Sequence, residues 1–283
     1  MLSTVKEMMS AAKKGGYAVG AFNIENMEMA QAVVFAAEEM ESAVILQTTP
    51  STVRYAGIKL LGRMLSALAE EAKVPVAVHL DHGADLAMVE KAANAGYSSI
   101  MIDGSRLDFE KNITLTKQAA KICSVLGIPL EAELGAVGGK EDDAVSGGLQ
   151  YTDPGEAGEF VRRTGVFSLA VGIGTSHGIY SGPPKLDIAR VGLIAKTVEI
   201  PLVLHGTSGV PEADVSACIN QGICKVNYAT DLRLEFTKGV KEAISESPDA
   251  YDPKIYLSAG RERVKQAAKR RIFVCNNKYE MGG

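Results

Sequence analysis

The sequence predicts an α/β fold in which eight parallel strands, each followed by a helix, close into a (β/α)8 TIM barrel. Eight short apolar runs alternate strictly with longer segments of helical periodicity, which is typical of parallel sheets. Polar residues follow the ends of these runs, and such barrels carry their functional groups at the carboxyl ends of the strands. No linker or change of composition divides the 283 residues, so we expect residues 1–283 to form one domain.

The predicted strands are short and rich in Val, Ile, Leu and Ala. The third strand ends in His-Leu-Asp-His-Gly, and ionisable groups are costly inside a buried strand but tolerated at its open end. Strand alternation places His79 and Asp81 on one face and His82 on the other. Taken alone, this stretch fits a metal ligand beside a proton-transfer carboxylate, and equally a hydrogen-bonded core histidine and a loop Asp. The eight strands are predicted at 18–23, 44–49, 74–83, 99–104, 128–134, 168–174, 201–206 and 224–230.

Helices are predicted between the strands from apolar spacing and from residues typical of helix ends. Asp85 is a suitable N-cap, Gly96 and Gly127 follow helices, and Pro154 suits a first helical position. The helices are predicted at 27–41, 53–73, 85–95, 107–126, from 153 onwards, 187–198, 211–220, 232–244 and 260–271. Residues 135–151 are polar and rich in glycine, which predicts a mobile lid or active-site loop, or otherwise an ordinary surface insertion.

Composition excludes several kinds of partner. The net charge of −4 argues against a nucleic-acid surface. There is no run of eighteen apolar residues, so we expect no membrane span, and residues 1–14 lack a signal-peptide core. The four cysteines show no Cys-x-x-Cys spacing, which fits reduced thiols in the cytoplasm. We therefore expect a cytoplasmic protein without nucleic-acid or membrane partners.

Three of the four histidines are followed by Gly, each at the end of a different predicted strand: His82, His177 and His205. Three imidazoles that converge suit a catalytic zinc ion with one position left for substrate, although Co²⁺, Fe²⁺ or Mn²⁺ would accept the same ligands. Asp103 and Glu133 could orient these ligands or offer the metal an alternative position. Hydrogen-bonded loop histidines are the other interpretation.

A phosphate site is predicted at the last two strands, because the loops after strands 7 and 8 commonly bind phosphate in this fold. Gly-Thr-Ser-Gly occupies 206–209 and Asn-Tyr-Ala-Thr occupies 227–230. Glycines let backbone N–H groups approach a phosphate, and hydroxyls add further donors. Ordinary turn chemistry would also explain these residues.

Motifs over essentially the whole chain resemble those of the class II, metal-dependent ketose-bisphosphate aldolases. The resemblance implies a zinc enzyme that reversibly cleaves a ketohexose 1,6-bisphosphate to dihydroxyacetone phosphate and glyceraldehyde 3-phosphate, with zinc polarising the ketone and the resulting enediolate as a Lewis acid. The motifs are Ala-Phe-Asn (21–23), His-Leu-Asp-His-Gly (79–83), Met-Ile-Asp-Gly-Ser (101–105), Glu-Ala-Glu-Leu-Gly-x-x-Gly-Gly (131–139), His-Gly (177–178), His-Gly-Thr-Ser-Gly (205–209) and Lys-Val-Asn-Tyr-Ala-Thr-Asp-Leu (225–232).

The resemblance also implies roles by motif position. The metal ligands would be His82, His177 and His205. Asp81 would be the acid/base at the C4 hydroxyl, Asn227 would steady the enediolate, and Glu141 would move the carbon-bound proton. Lys140 departs from the acidic pair of some members, which weakens the Glu141 assignment. The implied substrate-binding residues are Asn23, Thr49, Gly178, Gly206, Thr207, Ser208, Asn227, Tyr228, Ala229 and Thr230, and of these Gly178, Gly206 and Ser208 would also bind Na⁺ or K⁺.

Two residues point to different sugars. Ala229 stands where many fructose-bisphosphate enzymes carry Asp or Asn, and this small residue is similar to the tagatose-bisphosphate branch. Arg261, in the context Asp-Pro-x-x-Tyr-Leu-x-x-x-Arg, resembles the fructose branch, where such an Arg reaches the 6-phosphate of a neighbouring subunit. We keep both sugars, lean slightly to tagatose, and expect a homodimer or homotetramer.

Two other functions fit parts of the sequence. A metal hydrolase on the same barrel usually begins with His-x-His on its first strand, where this chain has Asn23. A non-catalytic companion subunit of a tagatose-bisphosphate aldolase need not keep three metal histidines and Asp81. Zinc content together with a cleavage assay separates the three functions.

Overall fold

The computed structural model describes residues 1–141, 144–145 and 150–277, with the backbone alone at 140, 141, 144 and 145. Eight parallel strands form a closed barrel in the order β1-β11-β10-β8-β5-β4-β3-β2, which confirms the predicted fold class. The barrel strands are β1 (Val19–Asn23), β2 (Val44–Thr48), β3 (Val76–Gly83), β4 (Ser99–Ile102), β5 (Leu130–Leu134), β8 (Ser168–Val171), β10 (Leu202–Leu204) and β11 (Ile223–Tyr228).

Eleven helices are found in the described residues, and most of them flank the barrel. Six of them begin at an Asn or Asp whose side chain accepts a hydrogen bond from a backbone N–H of the first turn, which satisfies a donor that the helix leaves unpaired. The helices are α1 (Val5–Gly15), α2 (Met27–Glu39), α3 (Pro50–Ala56), α4 (Ile58–Glu71), α5 (Leu86–Asn94), α6 (Phe109–Val125), α7 (Pro154–Thr164), α8 (Ile188–Thr197), α9 (Glu212–Asn220), α10 (Thr230–Glu246) and α11 (Pro253–Cys275).

Two predicted helices differ in extent from those of the structure. The single helix predicted at 53–73 is two helices, α3 and α4, separated by Gly57, whose φ of 86° interrupts the helical backbone. The final helix begins at Pro253 rather than at 260, because Asp252 caps it and Pro253 stands at its first position.

The sequence prediction missed helix α1 altogether. Its buried side chains, Val5, Met8, Met9 and Ala12, pack against residues at the beginnings of the barrel strands, such as Ile45. Helix α1 therefore closes the amino-terminal end of the barrel. Apolar residues at helical spacing occur in this segment, but its many charged residues obscured the pattern.

A small second sheet forms beyond the carboxyl ends of the strands. Its members are β6 (Gly138–Glu141), β7 (Ala144–Val145) and β9 (Ser176–His177), in the order β7-β6-β9. The segment 135–151, predicted as a lid, an active-site loop or a surface insertion, thus contains a strand that pairs with Ser176 and His177. Among the described residues, no helix combines the length and apolar character that crossing a membrane requires.

Candidate active site

The carboxyl end of β3 places the side chains of Asp81 and His82 next to each other. Strand alternation predicted that Asp81 and His82 point to opposite faces, and this prediction is wrong. The pairing of β3 with β4 shifts register between Leu80 and Gly83, and His82 adopts a positive φ of 49°. A bulge of this kind re-aims a side chain, and His82 Nε2 consequently lies 3.9 Å from Asp81 Oδ1.

The structure brings the three predicted metal histidines together. Each of His82, His177 and His205 offers one ring nitrogen, and these nitrogens lie within 4.8 Å of one another. The ring centroids are 5.1 Å apart for His82 and His177, 4.8 Å for His82 and His205, and 6.0 Å for His177 and His205. They come from three separate parts of the barrel rim.

Carboxylates fix which nitrogens of two rings face the cluster. Asp103 Oδ2 lies 2.8 Å from His82 Nδ1, and Glu131 Oε1 lies 3.1 Å from His205 Nε2. Each carboxylate accepts an N–H, so the opposite nitrogens, His82 Nε2 and His205 Nδ1, carry lone pairs in the neutral rings. These two nitrogens face each other at 3.1 Å. Two lone pairs at this distance fit a shared cation.

The pKa values agree with neutral, ligating rings. Burial, reinforced by the neighbouring His82, lowers the pKa values of His177 and His205 well below the ordinary value. Burial opposes ionisation of Asp103, but its hydrogen bond with His82 lowers the pKa of that carboxyl. The cluster therefore contains an anionic carboxylate, and two of its imidazoles, those of His177 and His205, resist protonation, as divalent metal binding requires.

Glu133 provides a second potential ligand group with His82 and Asp103, whose atoms also lie within 4.8 Å of one another. Burial, followed by the charge of Asp103, raises the pKa of Glu133 to about 8. Its buried Oε2 has no hydrogen-bond partner among the described residues, and it lies 3.4 Å from His205 Nδ1. This is the predicted alternative metal position.

Asp81 is held by three amide side chains. Asn23 Nδ2 and Gln47 Nε2 donate to Asp81 Oδ2 at 2.8 and 3.2 Å, and Asn227 Nδ2 donates to Oδ1 at 3.2 Å. Burial opposes ionisation, but the nearby His82, His205 and Lys225 lower the pKa of Asp81. Asp81 is therefore an oriented carboxylate that can accept a proton.

Gln47 was missed by the sequence prediction. It is fully buried in β2, pairs in register with Asn23, and donates to both Asn23 Oδ1 and Asp81. Its position inside an apolar strand is the signal that could have identified it, because a buried polar side chain needs a polar partner.

A small cavity opens beside Asp81 and His177. Backbone geometry there depends on glycine: Gly206 has a φ of 65°, and a Cβ on it would lie 2.8 Å from the backbone of Ser176. The remaining lining residues are all predicted substrate-binding residues, namely Asn23, Gly178, Gly206, Thr207, Ser208, Asn227, Ala229 and Thr230.

The same cavity has donors for a phosphate. Helix α10 begins at Thr230, and the N-terminus of a helix presents unpaired N–H groups and a favourable dipole to anions. Ser208 Oγ currently accepts from the N–H groups of Ala229 and Asp231 at 3.3 and 3.4 Å. A phosphate oxygen that binds here can replace Ser208 Oγ as the acceptor of these two hydrogen bonds.

Four predicted residues do not contribute a described side chain to the cavity. The Tyr228 ring stacks on Phe22 with the centroids 5.8 Å apart, so it packs outside the barrel interior. Thr49 bonds instead to the hydroxyls of Ser51 and Thr52 at the start of α3. Arg261, which was predicted to reach the site of a neighbouring subunit rather than its own, donates to Gln31 at 2.8 Å. The side chain of Glu141 lies outside the described residues.

Comparisons with known proteins agree with this architecture. The family model for class-II fructose-bisphosphate aldolase matches residues 3–279. A probable fructose-bisphosphate aldolase of Bacillus subtilis (strain 168) is 43% identical over 281 residues, covering 98% of this chain and 99% of the relative. The fructose-bisphosphate aldolase of Geobacillus stearothermophilus is 43% identical over 267 residues, covering 93% of each chain.

Solved structures show the same similarity. The YdjI aldolase from Escherichia coli K12 has a TM-score of 0.86 and 37% identity, with 99% of this chain and 100% of that chain covered. A Coccidioides immitis protein described as a putative fructose-1,6-biphosphate aldolase has a TM-score of 0.88 and 28% identity, with coverages of 96% and 95%. With the family model matching nearly its whole length, the chain belongs to the class-II fructose-bisphosphate aldolase family.

Proposed function

We propose that the protein is a zinc-dependent aldolase that reversibly cleaves a ketohexose 1,6-bisphosphate to dihydroxyacetone phosphate and glyceraldehyde 3-phosphate. The observation that carries this proposal is the short distance of 3.1 Å between His82 Nε2 and His205 Nδ1, beside Asp81. His82, His177 and His205 would hold the metal. When bound, a divalent cation supplies Lewis-acid polarisation of the substrate carbonyl, which accommodates the electrons released by carbon–carbon cleavage.

Asp81 would act as the base for cleavage. Its carboxylate takes the proton of the C4 hydroxyl, the C3–C4 bond breaks, and the C4 fragment leaves as an aldehyde while the electron pair stays on the three-carbon fragment. Asn227 reaches the same place: its amide N–H donates to Asp81, and its buried Oδ1 has no partner among the described residues. That oxygen would accept a hydrogen bond from a hydroxyl group of the substrate. We propose Glu141 as the group that returns a proton to C3.

The buried Lys225 is the residue that a metal-free, Schiff-base mechanism would use. Its Nζ lies 2.9 Å from both oxygens of Glu131, inside the barrel. Lys225 is fully buried and is not among the residues that line the cavity, so its amine is not presented to a substrate there. This location favours the metal-dependent mechanism.

Fructose-1,6-bisphosphate is our first candidate substrate, since both curated relatives are named fructose-bisphosphate aldolases. Tagatose-1,6-bisphosphate is the second, and Ala229 supports it. Ala229 lines the cavity and offers only a methyl group, where a polar side chain could distinguish the two configurations at C4. Such discrimination by one polar group is large when the site is built for it.

The test compares the two sugars on one protein preparation. Protein stripped with a chelator is assayed for triosephosphate release before and after addition of zinc, with each sugar in turn. We expect release only after zinc is added, and faster release from the fructose substrate. Chelator-resistant cleavage that borohydride blocks by trapping substrate on Lys225 would contradict the metal-dependent proposal.

A further inference from the structure

A layer of ionisable residues lies inside the barrel directly beneath the candidate active site. Alternation along the strands gives it three members, each two residues before an active-site residue: His79 before Asp81, Glu131 before Glu133, and Lys225 before Asn227. All three are at least 98% buried. The layer below this one consists of apolar residues packed on α1.

The central contact of this layer is an ion pair between Lys225 and Glu131. Lys225 Nζ donates to both oxygens of Glu131 at 2.9 Å, and it lies 3.5 Å from His79 Nε2. Ser168 Oγ donates to Glu131 Oε2 at 3.3 Å. These donors fix the plane of the carboxylate in the barrel interior.

Stability alone does not explain a charge pair in this place. Removing two charges from water is costly, and apolar residues of similar volume usually give equal or higher stability. The barrel interior nearer α1 is in fact filled with apolar side chains such as Ile45 and Val203. The role of the ion pair is therefore expected to lie in a specific contact that it makes with another residue.

That contact is with His205. Glu131 Oε1 lies 3.1 Å from His205 Nε2, on the side of the ring opposite Nδ1. Accepting the Nε2–H holds the ring orientation, leaves the lone pair on Nδ1 and makes that nitrogen a better donor. His205 Nδ1 is the atom that faces His82 Nε2 across the histidine cluster.

We propose that Lys225 and Glu131 are positioning residues that hold His205 as a metal ligand. Lys225 acts through Glu131: its two hydrogen bonds orient the carboxylate, and its charge balances the buried anion. The inference rests on the metal-binding part of the proposed function. It assigns a role to a lysine that lies in the barrel interior but takes no part in the chemistry.

The test separates folding from metal binding with two double variants. Glu131→Leu/Lys225→Met removes both charges and the acceptor, whereas Glu131→Gln/Lys225→Met removes the charges but keeps an amide oxygen that can accept the Nε2–H. The zinc dissociation constant is measured by competition with a chromophoric chelator. We expect zinc binding to weaken about 10- to 100-fold in the Leu/Met variant, with partial recovery in the Gln/Met variant.

A spectroscopic readout tests the mechanism directly. Long-range ¹H–¹⁵N spectra of the metal-free protein report which ring nitrogen of His205 carries the proton. We expect Nε2 in the wild type and in the Gln/Met variant, and loss of that preference in the Leu/Met variant. The control is Tyr97→Phe, which breaks a buried 2.8 Å hydrogen bond to Thr48 Oγ1 outside the cluster and should leave zinc affinity unchanged.

The outcomes distinguish the two proposals. A wild type that binds no zinc would overturn the metal-dependent function. If the wild type binds zinc, and the Leu/Met variant folds and binds zinc equally tightly, the positioning role is wrong. If the Leu/Met variant does not fold, the Gln/Met variant decides: an unchanged His205 spectrum with intermediate affinity supports the role, and unchanged affinity contradicts it.

Discussion

At the scale of single residues, the proposed chemistry depends on Asp81, which only accepts hydrogen bonds from the side chains around it. Asn23, Gln47 and Asn227 each point an amide N–H at Asp81, and none of these contacts requires the carboxyl to carry a proton. The lowered pKa of Asp81 keeps it ionised at neutral pH. A carboxylate in this state is ready to take a proton from a substrate hydroxyl.

Replacing this carboxylate should impair proton transfer without disturbing the proposed metal ligands. We expect Asp81→Asn to lower kcat by about 10²- to 10⁴-fold, since general-base catalysis contributes that much, while zinc content stays the same. The matched control is Asp85→Asn, at the N-cap of α5, where Asn also caps well and activity should be unchanged. Loss of zinc from Asp81→Asn would instead identify Asp81 as a metal ligand.

Single residues were predictable from the sequence when they stood at a strand end. His82, His177 and His205 share a following Gly, and Asp81 adjoins one of them, so their spacing was informative. Gln47 lies one position inside its strand and carries no motif of its own. Only the three-dimensional contact with Asn23 and Asp81 shows its involvement.

At the scale of elements, the short strand β6 pairs from outside the barrel with the segment of His177, a proposed metal ligand. Gly138 and Gly139 pair in parallel with Ser176 and His177. Gly139 has a φ of 85°, and a Cβ on it would lie 2.2 Å from the carbonyl oxygen of His177. The absence of a side chain at Gly139 therefore lets β6 approach the backbone of His177.

Gly139→Ala should accordingly weaken metal binding more than it weakens the barrel. The added methyl group must displace the backbone of His177, so we expect zinc affinity to fall on the order of tenfold. Gly127→Ala is the control, because Gly127 also has a positive φ, 66°, but nothing lies within 4 Å of its added Cβ. Equal zinc affinities in the two variants, measured by chelator competition, would contradict a role for β6.

Elements were predictable where periodicity and end signals agreed. The strands of the barrel satisfy both conditions, and their predicted positions match the structure to within a few residues. The break at Gly57 was not predicted, because the apolar spacing continues across it while the backbone does not. The bulge at His82 was not predicted either, because it depends on the pairing of β3 with β4.

At the scale of the whole molecule, buried ionisable groups couple folding to pH. Burial lowers the pKa values of His79, His177 and His205 well below those of exposed imidazoles. At a pH below about 6.5 the unfolded chain therefore binds protons that the native protein excludes. Glu133, whose pKa is raised to about 8, binds one proton in the native state and opposes this trend.

The metal-free protein should consequently lose stability as the pH falls below about 6.5. The contribution of these histidines to the free energy of unfolding is fully present above their pKa in the unfolded chain. It is lost as the pH falls towards their pKa values in the native protein, by about 1.4 kcal/mol per pH unit for each proton that the unfolded chain binds in excess. His79→Gln removes one such group, so the slope of the free energy of unfolding against pH should fall by the equivalent of about one proton. Urea titrations at several pH values measure this slope, and an unchanged slope in His79→Gln would contradict the prediction.

The overall architecture was predictable because it depends on many weak signals that agree. Eight alternating units and a polar rim point to the same barrel, and the structure has that barrel. The carboxyl ends of the strands gather His82 and His205 with Asp81 at one end, as the sequence indicated. Helix α1 at the opposite end follows no motif, since its role is to cover an apolar surface that exists only once the barrel has closed.

The filled interior of the barrel also determines how solutes reach the candidate active site. Apolar side chains packed on α1, and above them the ion pair of Lys225 with Glu131, occupy the space enclosed by the strands, so no path for solutes runs along the barrel axis among the described residues. The cavity beside Asp81 therefore exchanges molecules at the carboxyl ends of the strands. If the proposed function is correct, product has to depart through the same opening by which the next substrate enters.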